Sequence, residues 1–445
     1  MSVRQWWQAL WALVAALGLY DVCILLTTGV TTSASAEIYH YFMFMAHTDS
    51  WAHMVRALNQ LRDHPDVLVY AKLFFHDHRK FQYPPSSLLI PDLLQRITNG
   101  SWQDVIAILN GISWLCVPAT GYVSWRLFLI GRTRSGVTDE GTRHDRLILL
   151  GAFIALALSF FPLTHSFWLG QVQTSMTLLA VLALLAWEKK LSGLAGLCIG
   201  LCCTIKPQWG LLVLWAGLRR EWTFVAVACA SAGVIALIAG FLYGFENYSD
   251  YVSVLTYMSQ HGENFYPNQT VNGLVNRLLY NGDDLRWLGD AYAPYNPIVY
   301  YATAISAMII IMPALLVRRH EKPHAFDLAL MMLAATLASP IAWEHHFAFL
   351  LGVFAMLAPV IVRKPMRRWS IVFLVAAFFF ASRRLAFTDD LSGTPFNFLE
   401  SYLFFAALAV MAMLYVVILR NPATRTSSDA AISGLEQAAA AGRPH

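Results

Sequence analysis

The chain has 445 residues, of which 57% are hydrophobic and only 13% charged, with a mean hydropathy of +0.51. An ordinary soluble domain is about one quarter charged, so the composition excludes that class and describes an integral membrane protein. The net charge of +4 mostly records an uneven placement of Lys and Arg, and no nucleic-acid partner is expected from it.

A helix needs about twenty apolar residues to cross a hydrocarbon core of about 30 Å. The hydrophobic runs predict twelve spans, at 8–28, 104–130, 147–163, 170–187, 191–205, 208–218, 223–244, 297–317, 325–341, 346–362, 369–384 and 397–419. Period-two alternation is absent, so the expected fold class is all-α and polytopic rather than a barrel. The first run reads as an anchor rather than a cleaved leader, with Ser33-Ala34-Ser35-Ala36 as the alternative cleavage region. The fifth and sixth runs are short, which a membrane allows where freed backbone groups are buried in protein or line a wet cavity.

Two stretches interrupt the spans: a first loop at 30–103 and a second at 245–296. Of the 31 basic residues, 19 fall in the short segments on the opposite side from these loops, Arg132, Arg134, Lys189, Lys190, Arg219 and Arg220 among them. Positive charge marks the cytoplasmic face, so both termini are expected in the cytoplasm and both long loops outside. Residues 1–420 then form one transmembrane domain, and 421–445, polar and rich in Ala, reads as a disordered cytoplasmic tail. The six cysteines all fall in spans without paired metal-ligand spacing, which favours buried structural thiols. No internal repeat of the kind many transporters carry is evident.

Polar residues gather on the outward side. The first loop has Asp49 and Phe81-Gln82-Tyr83-Pro84-Pro85. The later junctions bring Gly170-Gln171-Val172-Gln173, Lys206-Pro207-Gln208, Asn268-Gln269-Thr270, Trp343-Glu344-His345-His346 and Arg383-Arg384. Costly side chains near membrane depth are functional candidates by default. Each also has a plainer reading. Asp49 opens an amphipathic stretch (Trp51, Met54, Leu58, Leu61) expected to lie in the interface, and position alone favours a helix-terminal cap over a base. Lys206 by position alone snorkels to the headgroups, although Pro207 fixes it at a helix mouth. Gly170, Gln171 and Gln173 suit helix packing as well as ligand contact. His345 and His346, adjacent in sequence, point about 100° apart on a helix and make a poor metal site. A carboxylate with cations beside lipid is a set that can deprotonate a sugar hydroxyl and stabilise a departing phosphate.

In their order along residues 45–350, these blocks resemble those of the bacterial glycosyltransferase family 87, which includes polyprenyl-phosphate-mannose-dependent α-mannosyltransferases. The resemblance implies a GT-C membrane enzyme that moves a sugar, mannose by this likeness, from a polyprenyl-phosphate donor to a lipid or glycan acceptor. Reaction would occur at the outer face of a bacterial inner membrane. It implies Asp49 as catalytic base in one inverting displacement. Lys206, His345, His346, Arg383 and Arg384 are then candidates for the donor phosphate, and Tyr83, Gln171, Gln208, Asn268 and Trp343 for the sugar or pocket. Neither metal nor cofactor is implied. The chain departs from the family in Ser50-Trp51-Ala52-His53 after the aspartate, and Glu37, Asp63, Asp66 and Asp77 are further carboxylates of the same loop. The alternative to a transferase is a polyprenyl-linked glycan transporter or flippase, and a non-catalytic scaffold is the third class.

Overall fold

The computed structural model describes residues 1–29, 31–136, 141–317, 324–363 and 368–420. The expected tail at 421–445 and the basic residues Arg318, Arg319, Lys322, Lys364 and Arg367 lie outside the described residues. In chain order the α-helices are α1 (Val3–Thr28), α2 (Ser33–Phe42), α3 (Asp49–Asp63), α4 (Leu89–Ile97), α5 (Trp102–Arg134) and α6 (Arg143–Ser159). Next come α7 (Phe161–Trp168), α8 (Gln173–Glu188), α9 (Ser192–Cys203), α10 (Gly210–Leu218), α11 (Trp222–Tyr243) and α12 (Glu246–His261). The last six are α13 (Val271–Leu278), α14 (Pro297–Leu316), α15 (Ala325–Leu337), α16 (Leu350–Arg363), α17 (Arg368–Ser382) and α18 (Tyr402–Arg420). No strand is present among the described residues; Asn268 and Trp343 form an isolated bridge.

Each predicted span overlaps one of these helices, except that the third, 147–163, runs across the break at Phe160 from α6 into α7. By length and composition, α1, α5, α11, α14 and the stretch Asn397–Leu419 can cross a membrane, with α6 and α7 a sixth if that bent pair is one span. Five others are apolar but only 10–17 residues long. All thirteen residues of α15 are buried, so this helix meets protein on every side and needs no span's length. Close contact between short helices uses small residues: at Gly196 of α9 a Cβ would lie 2.5 Å from the Phe224 carbonyl of α11.

Two sequence readings are corrected here. The apolar face of α3 (Trp51, Met54, Ala57, Leu58) packs into a protein cluster with Tyr70, Phe81, Leu88 and Val254, so α3 is a folded part of the body rather than a helix laid on lipid. Cys23 and Cys229 are exposed on α1 and α11, while Cys116, Cys198 and Cys202 are buried. Hydropathy assigns a residue to a span but not to a face of it.

One end of the bundle collects the basic helix ends. Arg134 at the end of α5 pairs with Glu188 of α8 at 2.6 Å, and Glu188 accepts from the Ala325 N–H at the start of α15. Arg219 after α10 donates to the carbonyls of Leu315 and Val317. The other ends of α8, α9 and α15 point the opposite way, and there the two long loops fold over them.

Candidate active site

At that second end lies a cavity of about 410 Å³. Asp49, His53 and Tyr83 from the first loop line it, with Gln171 from the α7–α8 turn, Lys206 and Gln208 from the α9–α10 turn, and Trp343, His345 and His346 from the segment after α15. Residues far apart in sequence therefore share one chamber. A flank of Ile205, Leu211, Leu255, Met258 and Ile311 makes part of its wall apolar.

Asp49 is the first residue of α3, after the N-cap Thr48, which makes no side-chain cap bond. The N–H groups of Asp49 and Ser50 donate instead to the carbonyls of Leu169 and Gly170, at 3.0 and 3.2 Å, and that of His47 to Trp168. Backbone thus replaces the expected side-chain cap at those positions, and the Asp49 carboxylate faces the cavity with 39% of its side chain exposed. The docking is possible because Gly170 has φ +69° and no side chain; a Cβ there would sit 2.1 Å from the His47 oxygen.

Gln171 orients the carboxylate. Its Nε2 donates to Asp49 Oδ2 at 2.5 Å, and its Oε1 accepts from Ser50 Oγ at 2.7 Å and Tyr83 Oη at 3.1 Å. Because Oε1 is held by two hydroxyls, the amide nitrogen is forced toward Asp49. Burial holds the carboxyl above the usual carboxylate range, opposed by the Gln171 bond and by His165 and His47. His53, one turn along α3, stands with Nε2 3.9 Å from Asp49 Oδ1. Burial, with Arg56 and Arg79 nearby, pushes that imidazole down to about 4 and keeps it neutral.

Lys206 lines the same cavity. Extended backbone between α9 and the turn begun by Pro207 carries it. Ser86 Oγ, three residues past Tyr83, donates to the Thr204 carbonyl at 2.7 Å and ties this turn to the first loop. The ammonium donates to Gln173 Oε1 at 2.8 Å and lies 2.5 Å from His346 Nε2, while His346 Nδ1 accepts from the Trp343 N–H. Burial pushes Lys206 down to about 7. An anion placed beside it would reverse that effect, because an opposite charge favours the ammonium.

Three predicted residues stand elsewhere. Asn268 is fully buried; its Nδ2 donates to the carbonyls of Glu263 and Pro340, and its Oδ1 accepts from Ala342 N and Thr270 Oγ1. With no group left for a sugar, it staples the second loop to the turn before Trp343. Arg383 is 1% exposed and donates to the carbonyls of Ser159 and Ser382. Arg384 binds Tyr266 Oη and Asp389. None of the three lines the cavity. Among the competing carboxylates, Glu37 is buried against His165, Asp77 pairs with Lys72, and Asp63 and Asp66 are exposed on the outer surface. Cavity membership separates Asp49 from all four.

The sequence reading overlooked a second set of cavity residues. Lys80 donates to Glu263 at 2.8 Å, both side chains under 10% exposed, and its ammonium lies 3.8 Å from the Trp287 ring centre and 4.3 Å from that of Tyr292. Trp287 packs edge-on against Trp343. Lys80 adjoins the Phe81-Gln82-Tyr83 block, which is the signal that would have found it; no feature of the sequence links it to Glu263.

The chain matches glycosyltransferase family 87 over residues 81–340. The matched segment contains Tyr83, Gln171, Lys206 and Gln208, while Asp49 precedes it and Trp343, His345 and His346 follow it. No curated protein is significantly similar to the chain. Since the match spans more than half of a helical chain rich in apolar spans, the protein belongs to glycosyltransferase family 87 and is a membrane glycosyltransferase.

Proposed function

We propose that the chain transfers a sugar, mannose in this reading, from a polyprenyl-phosphate donor to a hydroxyl of a lipid or glycan acceptor in one inverting displacement. The observation that carries the proposal is the joint presence of the Asp49 carboxylate and the Lys206 ammonium in one cavity with an apolar flank. Asp49 takes the proton of the acceptor hydroxyl as that oxygen attacks the anomeric carbon. The bond from that carbon to the phosphate oxygen breaks, and its electron pair leaves on the polyprenyl phosphate. Lys206 offsets the charge, with His345 and His346 beside it as hydrogen-bond partners. Fixed protein cations supply this compensation in the proposal. Gln171 holds the base, Gln208 reaches sugar hydroxyls, and Tyr83 and Trp343 shape the pocket.

In the same reading the helices at all twelve predicted positions cross a bacterial inner membrane as a GT-C domain over residues 1–420. Both termini are cytoplasmic and the cavity extracytoplasmic. Support comes from the clustering of Arg134 and Arg219 at the end of the bundle opposite Asp49 and Lys206. The test is transfer of labelled sugar from polyprenyl phosphomannose by purified protein in lipid, wild type against Asp49→Asn. Transfer lost in a folded variant supports the assignment, and full transfer by the variant refutes it. Absence of transfer by wild type from several polyprenyl donors shifts the reading to a polyprenyl-linked glycan transporter or flippase.

A further inference from the structure

Helices α6 and α7 form a bent pair at 58°, broken at Phe160. Pro162 has no N–H to return to the Leu158 carbonyl, and Leu163 N donates to Phe160 rather than Ser159. The Ser159 carbonyl is therefore released from the helix at a half-buried position, where an unpaired oxygen is costly. Arg383 Nη1 donates to it. The same guanidinium reaches Asp21 of α1, with Nε 3.6 Å from Oδ1, and Asp21 accepts from Thr32, the N-cap of α2. Helix α2 in turn holds α7 through Glu37 and His165 at 2.8 Å.

What α7 delivers is the support of the base. Its last residue, Trp168, and the two that follow present the carbonyls that bind the N–H groups of His47, Asp49 and Ser50, and Gln171 comes next. The direction in which α7 leaves the break thus fixes where the Asp49 carboxylate stands.

We propose that Arg383 is a positioning residue for Asp49, acting through the broken α6–α7 joint, and not a ligand of the substrate. Its kinetic consequences rest on the reading of Asp49 as base; its structural consequence does not. A misplacement of about 1 Å at a reacting group costs on the order of a hundredfold in rate. Arg383→Met is therefore expected to lower kcat by roughly 10- to 100-fold with the donor KM changed less than about threefold. Arg383→Lys, which keeps a donor for Ser159, recovers part of that loss.

The activity-independent readout is amide hydrogen exchange of the full-length protein in lipid. Exchange over residues 47–52 is expected to quicken by about tenfold in Arg383→Met, less in Arg383→Lys, with α11 unchanged. Pro162→Ala, which lets the two helices join, is expected to quicken the same amides without touching any charge. If Arg383→Met does not fold, Arg383→Lys and Pro162→Ala still decide the matter. A raised donor KM with unchanged exchange at 47–52 overturns the inference in favour of substrate binding. Unchanged exchange in both Arg383→Lys and Pro162→Ala overturns it outright. If wild type transfers no sugar from any polyprenyl donor, the proposed function fails while the exchange result still decides the role of Arg383.

Discussion

Gln171 donates to Asp49 at 2.5 Å and, with the oxygen of the same amide, accepts from both Ser50 and Tyr83. One side chain thereby fixes the carboxylate from a turn whose carbonyls already hold the Asp49 and Ser50 backbone.

Asp49→Asn keeps the volume of the side chain and removes its basicity. Sugar transfer is expected to fall by about 10²- to 10⁴-fold, the usual share of a positioned base. Donor binding, measured by titration with polyprenyl phosphomannose, is expected to stay within a few-fold of wild type.

The pH dependence of kcat/KM for the donor is expected to be bell-shaped. As the proposed base Asp49 must be deprotonated, and burial raises its pKa, so activity is expected above that pKa and lost as pH falls through it. In the proposed mechanism Lys206 meets the phosphate as the ammonium, and burial lowers its pKa to about 7, so activity is expected to decline as pH rises through that value. Lys206→Arg keeps a permanent cation and is expected to carry the plateau to higher pH, whatever its maximal rate. A profile in which the alkaline limb stays in place would remove Lys206 from the phosphate site.

Gly170→Ala introduces a Cβ 2.1 Å from the His47 carbonyl oxygen at a φ of +69°. The 168–170 segment and the start of α3 must separate. A loss of roughly 1–3 kcal/mol in stability is expected from the strained backbone. A fall in kcat of about a hundredfold is expected from the displaced base. Thermal melting and steady-state kinetics measure the two independently.

Asn268→Ala leaves the Glu263 and Pro340 carbonyls and the Ala342 N–H without their buried partner. Each unmade bond of this kind costs about 1–3 kcal/mol, so a lower melting temperature is expected. The fraction that stays folded keeps its donor KM within about threefold. The reverse outcome, normal melting with a raised KM, would return Asn268 to the sugar site.

The blocks of unusual polarity were visible in the sequence because polar side chains stand out against apolar runs. Asp49, Tyr83, Gln171, Lys206, Gln208, Trp343 and the two histidines all prove to face one cavity. The roles within the blocks were not visible. Asn268 and Gln171 are both amides beside membrane helices; one is consumed by Glu263, Thr270, Pro340 and Ala342 and the other aims at a carboxylate 122 residues away, a difference that spacing along the chain does not reveal. Arg383 and Lys206 are likewise both cations at span ends, yet only Lys206 reaches the chamber. Hydropathy also could not tell lipid from protein as the apolar neighbour, so the inward packing of α3 and the complete burial of α15 escaped it.

The ion pair of Lys80 and Glu263 bolts the first long loop to the second. Parting those loops would pull Lys80 away from Glu263 and from the Trp287 and Tyr292 rings beside it. The cavity's flank of Leu211 and Ile311 is apolar, and such side chains lose little when acyl chains replace protein. In the proposed reading the chamber is bolted where the two loops meet, and the lipid-borne donor enters along the apolar flank.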